Sequence, residues 1–321
     1  MKPFRKNVAI AIDGGGIRGI IPARALMMLE EELGKTSHKI FRLCVGTSTG
    51  SVLAAGIAKG LSAEQMFRLY QHLGNHIFKK TLRSRLWFAM TFRYPGKSLE
   101  EALRKNLGTG DIGELWKQKP PTDLVVTAFD MIENRTRFIK SWKPEYQHWP
   151  LVKAVLASAA APTYFPVVDG HFVDGGVGSF NNPCFLAAYE LQFCLNWKPE
   201  DTTLISLGTG RAPKSYKFGQ AERFRPIHWL APLLDGFAGS AGDQQVHLVD
   251  TFFRGLDFRR FQVDMDRPIS LDKPEEIPNL IKYGEAMGAM ILKDKRDRAQ
   301  KIAPSRPRLQ PKRSPKPKAA K

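Results

Sequence analysis

Cysteine is scarce in this chain. Three occur in 321 residues, Cys44, Cys184 and Cys194, and none forms a C-x-x-C pair. That excludes a disulfide framework and fits a reducing compartment. Long apolar runs are missing too. No stretch approaches the ~18–20 residues of a membrane-spanning helix. The first apolar run, residues 8–12, is stopped by Asp13 before it reaches signal-peptide length. A cytoplasmic protein is expected, with peripheral attachment to a membrane left open. There is no cysteine cluster or EF-hand loop and the acids are scattered, so neither a metal nor another cofactor is expected. Acidic residues are the last shortage: 31 Asp and Glu stand against 49 Lys and Arg, a net charge of +18. Eight of the basic residues fall in 301–321, which holds no acid, so the rest of the chain keeps +10. A body this basic suggests a polyanionic partner, a membrane surface or a nucleic acid, and charge alone does not choose.

With 43% hydrophobic residues the chain has ample material for a buried core. Its centre of interest is Gly46-Thr47-Ser48-Thr49-Gly50. An apolar run, 40–45, precedes it, and small apolar residues, 51–58, follow and predict a buried helix. Strand, tight turn and helix are the context in which Gly-x-Ser-x-Gly spacing means a nucleophile elbow. Glycine is wanted on both sides because the turn is strained and two backbones pass close together. The helix N-terminus, with its unpaired N–H groups, then lies beneath the serine. The same five residues also suit a small-residue turn with no chemistry, so other segments must decide.

Residues 7–12 read as a buried parallel strand. They run into Asp13-Gly14-Gly15-Gly16-Ile17-Arg18-Gly19, after which Pro22 opens a helix predicted over 23–33 and closed by Gly34. Gly14, Gly16 and Gly19 satisfy the dinucleotide fingerprint. That site also needs an acid about 20 residues on, at the end of the second strand. Here the second strand leads into Ser48, and Glu30 to Glu32 fall inside the helix. An anion-binding nest fits better: successive amides of Gly14, Gly15 and Gly16 face one point, suited to an oxyanion, and Arg18 adds positive charge. Both glycine motifs follow neighbouring parallel strands, so both belong at the carboxyl edge of one sheet.

Further on, a helix is predicted over 61–74, a strand over 123–129 and an antiparallel edge partner over 137–140 after a turn at 133–136. Residues 151–161 form a small-residue helix ended by Pro162. Residues 77–94 interleave Lys and Arg with Phe, Trp and Met; they suit a membrane-interface segment or an ordinary packed helix. Asp174 stands before Gly175 and Gly176, and on its own reads as a turn aspartate. Asn181-Asn182-Pro183 opens a helix over 184–191, with Asn as N-cap. A final helix covers 277–292, its Met287 and Met290 read as core. From 293 the composition turns to Lys, Arg and Pro, which sets the expected boundaries: a catalytic domain over 1–292 and a disordered basic tail over 293–321. The tail suits anionic lipid, nucleic acid or mere solubility.

Taken together, 13–19, 46–50 and 174–176 occur in the order and spacing of the patatin-like phospholipase family, of the bacterial type. Residues 157–166, 181–183 and 204–210 are similar to its intervening and later segments, so the resemblance spans about 8–210. It implies a mainly parallel central sheet flanked by helices, an α/β/α layering with a Ser-Asp dyad at the carboxyl edge. Ser48 would be the nucleophile and Asp174 its base. Gly14, Gly15 and Gly16, with Arg18, would form the oxyanion hole, and Gly19, Gly46, Gly50, Gly175 and Gly176 would shape the motifs. The implied reaction is phospholipase A-type cleavage of membrane glycerolipids through an acyl-Ser48 intermediate. Residues 225–239 would then line the acyl pocket or touch lipid. Alternatives are an acyltransferase, a small-ester or thioester hydrolase, or a basic membrane- or nucleic-acid-binding protein on an inert scaffold. The implied partner is a phospholipid surface; some members answer to nucleotide or protein activators, which this sequence neither shows nor excludes.

A difficulty accompanies that chemistry. An unperturbed aspartate, with a pKa of about 3.9, is a weak base for a serine hydroxyl. Dry surroundings for Asp174 and strong oxyanion stabilisation are therefore required. Of His38, His72, His76, His148, His171, His228 and His247, none sits in a recognisable motif. His171, three residues from Asp174 on a short strand, should point to the opposite face.

Overall fold

Strand alternation explains how the central sheet is covered. In β1 (Asn7–Ile12), Val8, Ile10 and Ile12 enter one hydrophobic cluster while Ala9 and Ala11 enter a second on the other face. β2 (Leu43–Thr47) and β3 (Asp123–Asp130) divide likewise: Cys44, Leu124 and Val126 go one way, Leu43, Val45 and Val125 the other. Strands buried on both faces belong in a parallel sheet under helices. The computed structural model describes residues 1–78, 91–213 and 219–295, without the side chains of Asn75 and of 226–238.

Among the described residues the sheet has seven strands. Six follow the order β4-β3-β2-β1-β6-β7, with β4 at Arg135–Lys140, β6 at Thr202–Leu207 and β7 at Asp257–Phe261. All neighbours along it are parallel except β4, which closes one edge as an antiparallel hairpin partner of β3. β5 (Phe172–Asp174) lies off this path and pairs antiparallel with the last three residues of β3.

The helices, in chain order, are α1 (Ile20–Leu33), α2 (Ser37–Ile40), α3 (Thr49–Lys59), α4 (Ala63–His76), α5 (Gly96–Leu107), α6 (Leu151–Ala159), α7 (Cys184–Tyr189), α8 (Pro226–Phe252) and α9 (Ile277–Lys293). α1, α3, α4, α5, α6 and α9 pack into the first cluster, and α7 with the end of α8 into the second. The fold is thus a mixed α/β structure with a mostly parallel sheet between helices, as expected.

Local departures have local causes. α1 begins at Ile20 because a tight turn, Gly16–Gly19, already directs the chain into it. β2 begins at Leu43 because residues 37–40 close a helical turn first. α4 begins at Ala63 behind a capping box in which Ser62 accepts from the Gln65 N–H and Gln65 returns the bond. In α9, Met287 is buried as expected, but Met290 is exposed. No helix among the described residues is long and apolar enough to cross a membrane. Most of the basic-apolar segment 77–94, the side chains expected to line an acyl pocket at 226–238, and the tail from 296 onward lie outside the described residues.

Candidate functional site

Register along β3 brings the two chemical motifs together. Thr47, the last residue of β2, pairs with Thr127, and Asp174, the last of β5, pairs with Ala128. The two strands therefore abut end to end along the same flank of β3, because β4 occupies its other flank. Ser48 and Asp174 meet at that junction, 126 residues apart in the chain.

Ser48 has φ 53° and ψ −123°, a combination that L-residues avoid and that costs about 1–3 kcal/mol. Several contacts hold it there. Its N–H donates to Ser158 Oγ at 2.9 Å, and its carbonyl accepts from the Ser51 N–H and hydroxyl at 2.9 and 2.6 Å. Just before it, the Thr47 hydroxyl contacts Thr127 Oγ1 at 2.8 Å and the Phe180 carbonyl at 2.6 Å. A Cβ at Gly46 would strike the Gly50 carbonyl, and one at Gly50 would strike the Ile12 carbonyl. Both glycines are therefore needed for close backbone approach, as the sequence implied. α3 starts immediately after Ser48, with its N-terminal amides beneath the side chain.

Asp174 is buried. Its Oδ1 accepts the Gly176 N–H at 2.8 Å, and the nearby Ser48 hydroxyl draws its pKa down. Burial dominates its titration and lifts the pKa to about 6, against the opposing pull of the Ser48 and Gly176 donors. An aspartate in this state is ionised at neutral pH yet far more basic than a free carboxylate, which removes most of the difficulty seen in the sequence.

The glycine loop lies across from it: a Cβ on Gly14 would come 3.2 Å from Ser48 Cβ. Its amides are not equivalent. The expected donor set of Gly14, Gly15 and Gly16 loses Gly14, whose N–H is spent on the Asn181 carbonyl at 2.9 Å. The amides of Gly15 and Gly16 have no acceptor among the described residues, and Gly16 takes a left-handed φ of 56°. Ile17 donates instead to the Leu271 carbonyl at 2.8 Å. Arg18 reaches the Gly15 carbonyl through Nε at 3.4 Å, and its charge is felt by Asp13 and Tyr164.

Beneath this loop is a buried ion pair that sequence reasoning missed. Arg260 of β7 grips Asp13 with both terminal nitrogens, at 2.7 and 2.5 Å, and also donates to Ser206 Oγ at 2.8 Å. Burial raises the Asp13 pKa while Arg260 pulls it back. Thr209 fastens the loop from the other side, its hydroxyl donating to the Gly14 carbonyl at 2.6 Å. Two adjacent arginines, Arg259 and Arg260, between Phe258 and Phe261 of a short strand were the available signal for Arg260. Nothing local marked Ser158 or Thr209.

No histidine with a described side chain is part of the arrangement. Among the six histidines with described side chains, none hydrogen-bonds Ser48 or Asp174. His171 turns away, its Nδ1 2.8 Å from the Asp169 carbonyl and its ring on Phe172. Surface depressions of about 410 Å³ beside Arg24 and Glu30, and of about 310 Å³ beside Asp130, Trp149 and His171, are lined by neither Ser48 nor Asp174.

Residues 10–188 match the model of the patatin-like phospholipase family. The "Intracellular phospholipase A2" of Caenorhabditis elegans is 30% identical over 224 residues, 64% of this chain but only 20% of that protein. The chain thus spans a fifth of that relative's length. The "cGAMP-activated phospholipase" of Pseudomonas aeruginosa is 27% identical over 312 residues, 94% of this chain and 90% of that one. Among solved structures, VipD from Legionella pneumophila aligns with a TM-score of 0.46 at 12% identity, covering 90% of this chain and 67% of its own.

Proposed function

The chain belongs to the patatin-like phospholipase family, a hydrolase family, and we propose that it is a serine lipid acyl hydrolase acting on fatty-acyl esters of membrane glycerolipids. The observation that carries this reading is the strand register that brings Ser48 to a buried Asp174, whose pKa is about 6 and is drawn down by the Ser48 hydroxyl. Ser48 Oγ attacks the acyl carbonyl carbon as its proton passes to the Asp174 carboxylate. The carbonyl electron pair moves onto oxygen, where the Gly15 and Gly16 amides and the Arg18 charge receive it. Collapse breaks the ester C–O bond, and the leaving alkoxide takes the proton back from Asp174. Water then attacks acyl-Ser48, again giving its proton to Asp174. The fatty acid leaves and the Ser48 hydroxyl is restored.

A bilayer surface as partner is supported by the rim of this edge. β3 runs three residues past its last pairing with β2, so the β3–β4 turn overhangs the site by roughly 10 Å at about 3.3 Å per residue. The turn carries Met131 and Ile132, 59% and 78% exposed, and Val177, three residues beyond Asp174, is 50% exposed. Exposed apolar side chains beside a site suit insertion among lipid head groups. Ile132→Ser should slow release from vesicles several-fold and leave hydrolysis of a soluble ester unchanged. Equal rates on vesicles would remove the rim from the proposal. The name of the Pseudomonas relative extends the reading to control by a nucleotide activator, tested by adding cyclic dinucleotides to the same assay.

The direct test is fatty-acid release from phosphatidylglycerol and phosphatidylcholine vesicles by purified protein and by Ser48→Ala. Release abolished by the substitution supports the reading, and faster release from the anionic vesicles would give the net charge a use. Release that survives Ser48→Ala overturns it.

A further inference from the structure

Two adjacent asparagines precede α7 and are used in opposite ways. Asn182 is buried and fully engaged: its Oδ1 accepts the Cys184 N–H and its Nδ2 donates to the Gly242 carbonyl, each at 3.1 Å. Asn181 contributes only its backbone carbonyl, the acceptor for the Gly14 N–H. No hydrogen bond to its carboxamide is found among the described residues, and the residue is partly open to solvent.

That unengaged group is not on a free surface. A Cβ on Gly14 would collide with Asn181 Oδ1, and the same point is 3.2 Å from Ser48 Cβ. A Cβ on Gly176 would stand 3.2 Å from Asn181 Oδ1 and 3.1 Å from Asp174 Oδ1. The carboxamide therefore sits where the glycine loop, Ser48 and the Asp174 turn converge. The neutral polar side chains around it are satisfied within the protein: Thr47 by Thr127 and the Phe180 carbonyl, Ser158 by the Ser48 N–H, Thr209 by the Gly14 carbonyl. Asn181 alone in this group makes no side-chain hydrogen bond among the described residues, and a carboxamide offers two donors.

We propose that Asn181 is a catalytic residue, its carboxamide turning about its terminal torsion so that Nδ2 replaces Oδ1 at this point and donates to the acyl carbonyl oxygen as negative charge builds there, beside the Gly15 and Gly16 amides. This rests on the hydrolase reading above. It also gives the spent Gly14 amide a purpose. The bond to the Asn181 carbonyl gives up one backbone donor and in return fixes a side-chain donor against the loop. Neutral amide donors aimed at an oxyanion act on the transition state far more than on bound substrate.

The test uses the full chain with a water-soluble ester, p-nitrophenyl butyrate, and the variants Ser48→Ala, Asn181→Ala, Asn181→Asp and Asn182→Ala. Hydrolysis by the wild type and not by Ser48→Ala establishes the hydrolase reading first. Equal rates for those two would defeat that reading before Asn181 is at issue. Asn181→Ala is then expected to lose about 10²-fold or more in kcat, as for other side-chain oxyanion donors. KM should stay within about threefold and the pH midpoint should not move. Asn181→Asp keeps the shape and reverses the electrostatics, so it should lose at least as much; it carries the test if the alanine variant does not fold. Asn182→Ala should instead lower the unfolding temperature and keep its kcat. The proposal is overturned by a kcat for Asn181→Ala within about threefold of wild type, or by wild-type turnover in Asn181→Asp. A loss accompanied by a displaced pH midpoint would also overturn it, since Asn181 would then be acting through Asp174.

Discussion

Asp13 and Asp174 are near-twins in sequence. Asp13 directly follows β1 and Asp174 is the last residue of β5, each precedes a run of glycines, and each is buried at the edge of the same sheet. Their surroundings separate them. Asp13 faces the bidentate guanidinium of Arg260, whereas Asp174 accepts the Gly176 N–H and is influenced by the neutral Ser48 hydroxyl, with no ion pair to it among the described residues. Burial raises both pKa values, but only at Asp13 does a paired cation oppose it. One carboxylate is thereby kept as a structural anion under the glycine loop, and the other is left able to take a proton. Partners, not the Asp-Gly-Gly motif, assign the roles.

The comparison can be broken most forcefully at Arg260. Arg260→Ala would leave Asp13 buried without its cation and should cost about 3–5 kcal/mol in urea unfolding. A cost below about 1 kcal/mol, the scale of an exposed pair, would mean the pair is not the buried anchor described here.

Asp174→Asn is the converse. Because the folded pKa lies above the unfolded value of 3.8, folding favours the protonated carboxyl. The wild type therefore loses stability as pH rises from about 4 through about 6 and does not regain it above. The asparagine variant has no such loss. It should match the wild type near pH 4 and exceed it by up to about 3 kcal/mol at pH 8, from a shift of about two pK units. Asp13→Asn should not gain in this way, since it strands Arg260. A destabilised Asp174→Asn at pH 8 would contradict the assignment of burial as the dominant influence.

Ser158→Ala should give the smallest effect. It strands the buried Ser48 N–H, a cost of about 1–3 kcal/mol, and loosens the elbow. Thermal unfolding alongside kcat would register both, while the pH midpoint set by Asp174 should stay where it is.

Much of this was legible in the residues because it depends on short-range order. The apolar run 7–12, the small residues after Ser48 and the hairpin at 133–140 each specify their own element, and the glycine spacing around Ser48 and Gly16 specifies its own turn. The contacts that separate the two aspartates were not legible. Arg260 reaches Asp13 across 247 residues, and Ser158 reaches Ser48 across 110. Such pairings are set by strand order and helix packing, which no local pattern encodes. The commitment of the Gly14 amide to Asn181 was hidden for the same reason: the loop looked like three equivalent donors until its neighbour was in place.

The central claim, that Asp174 takes the Ser48 proton, is tested most directly by the pH dependence of kcat/KM for a soluble ester, measured for the wild type at two temperatures and for Asp174→Asn. Activity should rise with pH to a plateau with a midpoint of about 6, the pKa of the buried carboxyl. That midpoint should barely move with temperature, as for a carboxylate, and Asp174→Asn should lose at least about 10³-fold. A midpoint that shifts strongly with temperature, as an imidazole's does, or substantial activity in Asp174→Asn, would contradict the dyad.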